Sequence, residues 1–282
     1  MAGAIEYKTL RQMRAMREAA LIVDDIHCAL RESVCVGMTT AEADDIAARV
    51  LKAAGARSNF LGYYDYPANI CTSINEVIVH GIPDERALEA GDIVSFDCGA
   101  VKGGWHGDSC FTMVLPSDNP GDAELIAARE RLSQVTEQAM WAGIAAMAWG
   151  RRVGDIGAAI DDYVTATAPD LDIVLDYTGH GIGTSMHQDP DVLNYRARGR
   201  TFGRTPRLKP GMVLCIEPML TRGKQDNRVL DDDWTVVTND GSDACHWECQ
   251  VALHEDGIWV LNRRDGGARE LAAFGVTPAP IG

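Results

Sequence analysis

Two aspartates lie eleven residues apart in the segment 95–110, SFDCGAVKGGWHGDSC. Asp97 and Asp108 flank a KGG sequence that is typical of a hairpin turn, so the chain can return and bring both carboxylates together. Taken alone, such a pair is more often solvated on the surface of a hairpin. If both carboxylates were buried side by side, their repulsion would have to be relieved by a proton or by a cation between them.

Two glutamates in the second half of the chain favour the buried alternative. Glu217 lies in the almost wholly apolar stretch GMVLCIEPML, and Glu248 lies in the strand-like stretch HWECQVALH. Neither stretch contains a Lys or Arg, and burial of an unpaired carboxylate is costly. The segment TGHGIGTSMHQDP adds His180 and His187 among glycines that allow close approach of the backbone.

Carboxylates and an imidazole form a donor set that suits divalent first-row metals. Four negative charges exceed the charge of one dication, so the sequence predicts two ions bridged by shared carboxylates. The chain has no HExxH motif and its eight cysteines include no CxxC pair, so a thiolate zinc site is not indicated. Mn, Fe, Co and Zn all accept the predicted donors.

The elements that must position these residues alternate between helices and strands. Apolar residues at helical spacing predict two helices before residue 54 and two more between residues 125 and 164. A capping box, Thr39 with Glu42, begins the second of them. Residues 54–75 are rich in turn-forming residues. Strand-like runs follow each helix pair, at 76–80, 92–100 and 106–115 and again at 172–177, 212–219, 234–237 and 246–253.

This repeated order predicts an α+β fold of two pseudo-symmetric halves, in which helices back a curved antiparallel sheet. We expect a single catalytic domain over residues 1–265 and a peripheral C-terminal tail over residues 266–282. The net charge of −15, from 26 Lys and Arg against 41 Asp and Glu, argues against a DNA-binding protein. No apolar run has the length of a signal sequence or a membrane span, so we expect a cytoplasmic protein with reduced thiols.

Five segments, in this order, resemble the type I methionine aminopeptidases, which have the pita-bread fold: SINEVIVHGIPD, SFDCGA with WHGD, TGHGIGTSMH, GMVLCIEPM and the WE of HWECQ. The resemblance runs from about residue 8 to residue 262. The short interval from His180 to Glu217 has no room for the insertion of type II enzymes, and the zinc-finger extension of some type I enzymes is missing. The bacterial type I group is therefore the expected one.

The resemblance implies a role for each candidate residue. In it Asp108 and Glu248 bridge two ions, Asp97 chelates one ion, and His180 with Glu217 binds the other. The resemblance also makes Glu217 the proton shuttle and places His80 and His187 beside the scissile peptide. The residues that it implies for the methionine pocket are Tyr63, Tyr66, Cys71, His80 and Trp234.

The implied activity is removal of the N-terminal methionine from nascent proteins, by attack of a metal-activated water on the first peptide bond, with a preference for a small second residue. Residues next to the ligands depart from the commonest family pattern and can change metal affinity and rate. These departures are Phe60, Met186, His246, Cys249 and Gln250.

Two alternative functions stay open from the sequence. A pita-bread Xaa-Pro aminopeptidase or prolidase usually has Pro-Gly after the strand glutamate, where this chain has Pro218 and Met219. A non-enzymatic binding protein of the same fold would have lost metal ligands, and all five are present here. The segment 194–209, with six basic residues and no acid, predicts either a solvated loop or a contact with ribosomal RNA.

Overall fold

The computed structural model describes residues 5–197 and 205–282. Its first two helices are α1 (Leu10–Ser33) and α2 (Thr40–Ala53). Each begins at a threonine, Thr9 or Thr39, whose side chain accepts a hydrogen bond from the backbone of the third helical residue in a complete capping box. The predicted capping box at Thr39 is thus confirmed. Both helices turn an apolar face to the core.

Two further helices follow the break at residues 117–122. Helix α3 (Ala123–Trp149) begins after a short 3-10 turn, and α4 (Gly154–Thr167) packs against it. The C-terminal half of α3 is buried almost all round, which explains its run of small and apolar residues AGIAAMA. The two predicted helix pairs are therefore present.

The first-half strands are β1 (Arg57–Ser58), β2 (Ile70–Ile74), β3 (Val77–Val79), β4 (Ile93–Lys102) and β5 (Trp105–Val114). Strands β4 and β5 form a long antiparallel hairpin whose two-residue turn is Gly103–Gly104. Both turn glycines have positive φ, 58° and 81°, as a type I′ turn requires. The expectation of turns throughout residues 54–75 was wrong in part, because the wholly buried β2 pairs with β4.

The second-half strands are shorter than predicted. They are β6 (Asp172–Ile173), β7 (Gly179–Gly181), β8 (Gln188–Val192), β9 (Val213–Ile216), β10 (Met219–Thr221), β11 (Asn227–Val229), β12 (Val236–Thr238), β13 (Ala244–His246), β14 (Cys249–His254) and β15 (Gly257–Val260). The predicted run 212–219 is divided between β9 and β10, because Pro218 has no N–H for a sheet ladder. The run 246–253 is likewise divided at Trp247 and Glu248.

All pairings between these strands are antiparallel, and hydrogen bonding groups them into four small sheets. Their orders are β1-β4-β2 with β5 on β4, β13-β10-β6, β11-β12-β3, and β15-β14-β9-β7-β8. One large apolar cluster fills the space between the helices and strands from both halves. No helix within the described residues is long and apolar enough to cross a membrane.

The last residues of the chain include a short helix, α5 (Ala268–Leu271), and an extended end. Leu271 and Ile281 are buried, and the Ala279 amide donates to the Ile258 carbonyl over 2.9 Å. These contacts lie away from the pocket described below. The division of the chain at residue 265 stays a prediction.

Candidate active site

A pocket of about 560 Å³ opens between the two halves of the molecule. It collects all eleven residues that the sequence analysis singled out for metal or substrate: Tyr63, Tyr66, Cys71, His80, Asp97, Asp108, His180, His187, Glu217, Trp234 and Glu248. No Lys or Arg is among the described residues that line it. The fold therefore brings together side chains that are far apart in the sequence, from Tyr63 to Glu248.

The β4–β5 hairpin positions the two aspartates. Asp97 lies opposite Cys110, and Asp108 lies opposite Gly99, so the two carboxylates are diagonal neighbours on one face of the hairpin. Cys71 of β2 lies opposite Asp97 on its other side, and this places the thiol on the same face. The hairpin predicted from the KGG sequence is therefore confirmed.

Each glutamate lies where one strand ends and the next begins. The Glu248 amide donates to the Cys110 carbonyl over 3.0 Å, and its own carbonyl accepts from Ser109 Oγ at 2.6 Å. These bonds join the end of β13 to β5, directly beside Asp108. The Glu217 carbonyl accepts from Asn194 Nδ2 at 3.1 Å. Departure from a regular ladder at both glutamates is what lets their carboxylates enter the pocket.

His180 lies at the centre of the short strand β7, between two glycines. A Cβ on Gly179 would lie 2.3 Å from the Cys215 carbonyl oxygen, and a Cβ on Gly181 would lie 2.3 Å from that of Asp189. Only glycine fits this close approach of three strands. Nδ1 of His180 is 3.0 Å from the Gly181 carbonyl oxygen, to which it donates, so that Nε2 presents its lone pair towards Glu217 Oε1, 3.3 Å away.

Burial governs the protonation of the acidic groups. It raises the pKa of Asp108, Glu217 and Glu248 well above the ordinary range, and the neighbouring carboxylates raise these pKa values further. Burial also raises the pKa of Asp97 to about 6, against the opposing effect of His246. Four carboxyl groups in one low-dielectric space cannot all be ionised without a compensating positive charge.

The imidazoles are held neutral by the same desolvation. Burial lowers the pKa of His180 to about 3 and that of His80 to about 4, with a second contribution from nearby histidines. A neutral His180 can serve as a metal ligand, but it cannot neutralise the carboxylates.

The donor groups fit divalent cations. One oxygen each of Asp97, Asp108 and Glu248 is buried without a hydrogen-bond partner in the described part of the chain. Donor atoms of Asp108, His180 and Glu248 all lie within 4.8 Å of one another. Buried oxygens without partners and a neutral imidazole, converging in an acidic space, are the arrangement that a divalent ion would satisfy.

An apolar slot adjoins these carboxylates. The Tyr66 ring packs edge-on against Trp234 with 5.0 Å between centroids, and Phe60 packs edge-on against Tyr66 at 6.4 Å. Met186 completes the buried cluster with Cys71. The slot therefore has an aromatic and thioether lining at one end and the carboxylates at the other.

Two further histidines line the same pocket. His187 Nδ1 is 2.9 Å from the Tyr63 hydroxyl, and its ring packs edge-on against His180 at 4.4 Å. His80 has a positive φ of 61° and lies edge-on between Tyr177 and Trp234. A residue other than glycine rarely has a positive φ. The backbone of His80 is therefore held in this conformation by the residues packed around it.

Two residues of this site were not assigned a role from the sequence. His246 Nε2 lies 3.5 Å from Glu217 Oε2, and Cys215 Sγ lies within 4.8 Å of donor atoms of Asp108, His180 and Glu248. A sequence signal existed for both, because alternation along a strand places Cys215 on the face of Glu217. His246 lies two residues before Glu248 in the same way, but from the sequence it was treated only as a departure from the commonest family pattern.

Comparisons with known proteins identify the family of this chain. The profile of Metallopeptidase family M24 matches residues 14–255. Methionine aminopeptidase 1 of Mycobacterium tuberculosis is 43% identical over 262 residues, which cover 91% of this chain and 94% of the relative. The crystal structure of methionine aminopeptidase from Rickettsia prowazekii superposes with a TM-score of 0.84 at 32% identity, covering 92% of this chain and 100% of that one.

A prolidase from Pyrococcus furiosus shares the fold with a TM-score of 0.68, but it is 19% identical, and the alignment covers 91% of this chain and only 65% of the prolidase. The fold class and the family expected from the sequence motifs are confirmed by these comparisons. The chain therefore belongs to metallopeptidase family M24, within the group of the bacterial methionine aminopeptidases.

Proposed function

We propose that this enzyme removes the N-terminal methionine from polypeptides whose second residue is small. The observation that carries the proposal is the junction of an apolar slot with a cluster of three buried carboxylates, the partly buried Asp97 and His180. A slot of this kind suits one unbranched apolar side chain, and the carboxylates lie where the first peptide bond would follow it. The names of the relatives support methionine as that side chain.

We propose that two divalent ions bind here, with Asp97, Asp108, His180, Glu217 and Glu248 as their ligands. The buried oxygens without partners and the raised pKa values of the carboxyl groups support this assignment. When bound, such ions supply a Lewis acid for the scissile carbonyl and lower the pKa of the attacking water. The two dications would offset the four carboxylate charges.

Three side chains transfer the proton and position the substrate. Glu217 accepts a proton at Oε from the attacking water and returns it to the leaving nitrogen, a role that its place in the pocket beside His180 and His246 supports. His187 is exposed at the mouth of the pocket, and its contact with the Tyr63 hydroxyl orients the ring so that Nε2 faces the substrate. His80 is neutral and can hydrogen-bond the scissile amide.

Selectivity follows from the lining of the slot. Tyr63, Tyr66, Cys71 and Trp234 offer an apolar surface, in which one methylene changes binding by only about 1–3 kcal/mol. Norleucine should therefore be accepted slowly. Lysine would bury an unpaired charge and should be rejected. The second residue meets His80, His187 and the carboxylates at close range, which leaves space for small side chains.

The decisive measurement is kcat/KM across a Met-Xaa-Ser series, together with Leu-Ala-Ser and Ala-Pro-Ser. We expect cleavage when Xaa is Gly, Ala or Ser and almost no cleavage when it is Lys, Leu or Phe. Comparable rates on Met-Ala-Ser and Leu-Ala-Ser would refute the methionine assignment. A preference for Ala-Pro-Ser would instead support the Xaa-Pro alternative.

The proposed substrates are nascent chains in the cytoplasm, and the basic segment 194–209 is the proposed contact with ribosomal RNA. Arg198, Arg200 and Arg204 lie outside the described residues. Arg196 is described and pairs with Asp162 at 2.6 Å, an exposed ion pair of the kind that contributes little to stability and can exchange partners.

Replacing Arg196, Arg198, Arg200 and Arg204 together with serine tests the ribosome contact. We expect weaker co-sedimentation with ribosomes, a reduced dependence on salt, and unchanged cleavage of short peptides. Co-sedimentation that stays unchanged at low salt would exclude the contact.

A further inference from the structure

Cys215 is a buried thiol inside the candidate metal centre. It lies on β9, two residues before Glu217, with its side chain fully enclosed. Its Sγ is within 4.8 Å of one donor atom each of Asp108, His180 and Glu248, and these donors are equally close to one another. The thiol thus converges on the same point as three of the proposed ligands.

Two of the carboxylates around Cys215 have buried oxygens that lack a partner. Asp108 Oδ1 and Glu248 Oε1 are almost fully buried and have no hydrogen-bond partner in residues 5–197 and 205–282. A buried oxygen without a partner can be satisfied by a cation or by a neighbouring group that donates a hydrogen bond. The Cys215 thiol interacts with the Glu248 carboxylate, so the sulfur already faces this group.

A second buried group, Lys8, interacts with the sulfur. Lys8 is almost completely enclosed, with Nζ 3.1 Å from Gln188 Oε1 and 3.8 Å from Glu6 Oε2, and it interacts electrostatically with Cys215. Burial and the neighbouring carboxylates of Glu248, Asp108 and Glu217 raise the pKa of the Cys215 thiol well above its ordinary value, so the sulfur keeps its proton until a metal ion displaces it. The position of the sulfur among Asp108, His180 and Glu248 is therefore what makes it a candidate donor.

We propose that Cys215 is a further donor of the metal centre, and that the group of Asp108, His180, Glu248 and Cys215 binds thiophilic divalent ions in preference to Mn²⁺. The inference rests on the proposed metal centre and adds a soft ligand to it. Thiolate sulfur favours Zn²⁺, Co²⁺ and Fe²⁺, whereas a set of oxygens and one imidazole also accommodates Mn²⁺. Coordination replaces the proton of the thiol, and that proton is released to solvent.

Reconstitution of the full-length protein with Co²⁺ tests the proposal without reference to activity. A thiolate ligand gives Co²⁺ a sulfur-to-metal charge-transfer band in the near ultraviolet. We expect the band in the wild type, its loss in Cys215→Ser, and its retention in Cys245→Ser. Cys245 is a matched control, since it is equally buried but interacts with Thr112, Ser133 and Thr136.

Metal competition gives a second readout. We expect Cys215→Ser to lose about tenfold or more in Zn²⁺ affinity, with the Mn²⁺ affinity almost unchanged. Cys215→Thr, whose β-branched side chain suits a strand and has no sulfur, serves if the serine variant does not fold. Absence of the band from the wild type, its persistence in both Cys215 variants, or equal losses for Zn²⁺ and Mn²⁺ would each overturn the proposal.

The failure of this inference and of the proposed function have different signatures. A wild type that binds two ions and cleaves Met-Ala-Ser, but shows no charge-transfer band, contradicts the role of Cys215 alone. A wild type that binds no divalent ion contradicts the metal centre itself.

Discussion

At the scale of single residues, Asp108 is the proposed ligand with the most acidic neighbours. Glu248, Asp97 and Glu217 all raise its pKa. Asp108→Asn keeps the shape of the side chain and removes its charge. We expect loss of most bound metal and a fall in turnover of at least about a hundredfold, as for the loss of other electrostatic groups at reaction centres. Metal content and kcat on Met-Ala-Ser measure both effects.

The fold of this variant should survive, since removing one of several buried like charges relieves repulsion. Asp118→Asn, at an exposed position in the 117–122 segment, is the control and should behave as the wild type. Near-normal activity of Asp108→Asn would exclude Asp108 as a bridging ligand.

Asp97 makes the stability of the ion-free protein depend on pH. Burial raises its pKa from 3.8 to about 6, so the folded state binds more protons than the unfolded state between these values. The unfolding free energy contributed by this group is therefore present at low pH and is lost as pH rises towards 6 and beyond. Asp97→Asn abolishes this loss.

In chelator-treated protein, the melting temperature of Asp97→Asn should exceed that of the wild type at pH 7.5 by several degrees, at about 2–4 °C for each kcal/mol. The difference should shrink as pH falls to 5. Addition of Co²⁺ should reverse the order, because the variant lacks a ligand. A difference in melting temperature that does not vary with pH would contradict the burial of an ionised Asp97.

At the scale of elements, the short strand β7 depends on glycine to hold His180. A Cβ on Gly181 would lie 2.3 Å from the Asp189 carbonyl oxygen, so Gly181→Ala must push β7 away from β8. His180 moves with the strand. We expect a lower melting temperature and a loss of about tenfold or more in metal affinity, comparable to the loss of other groups that orient ligands.

Gly241→Ala separates this steric effect from backbone strain. Gly241 has a φ of 72° and no atom within 4 Å of an added Cβ, so alanine there costs only strain, of order 1 kcal/mol. This control should keep wild-type metal affinity. If Gly181→Ala also binds metal as the wild type does, the close packing of β7 does not position His180.

At the scale of the whole molecule, the C-terminal end of the chain packs against the first helix. Ile281 is buried in a cluster with Met13, Met16 and Trp259, and Arg14 Nε donates to the Ile281 carbonyl. Removing residues 277–282 uncovers this cluster and should lower the unfolding free energy by about 2–3 kcal/mol, the value of one large buried side chain. Denaturant titration measures the loss.

Cleavage of Met-Ala-Ser at 25 °C should be unaffected by this truncation, because none of these residues lines the pocket. Ile281→Ala alone should reproduce most of the loss in stability. A truncated protein that is stable but inactive would place the tail within the catalytic unit and contradict the proposed boundary at residue 265.

Sequence by itself determined the features that depend on neighbours along the chain. The capping box at Thr39 and the helical periodicity of α1 to α4 are local, and the KGG turn needs only its own glycines. The motif order was specific enough to predict the family, and carboxylates in apolar strands such as that of Glu217 indicated a charge that burial would make costly.

Only the tertiary structure decided which groups meet. Ile70–Ile74 becomes a strand because β4 offers it an edge, which no pattern within residues 54–75 could reveal. His246 faces Glu217, and Cys215 joins Asp108, His180 and Glu248, because strands distant in sequence pair in one register. Such contacts arise from long-range packing of whole elements, whose free energy is not encoded in the spacing of any single segment.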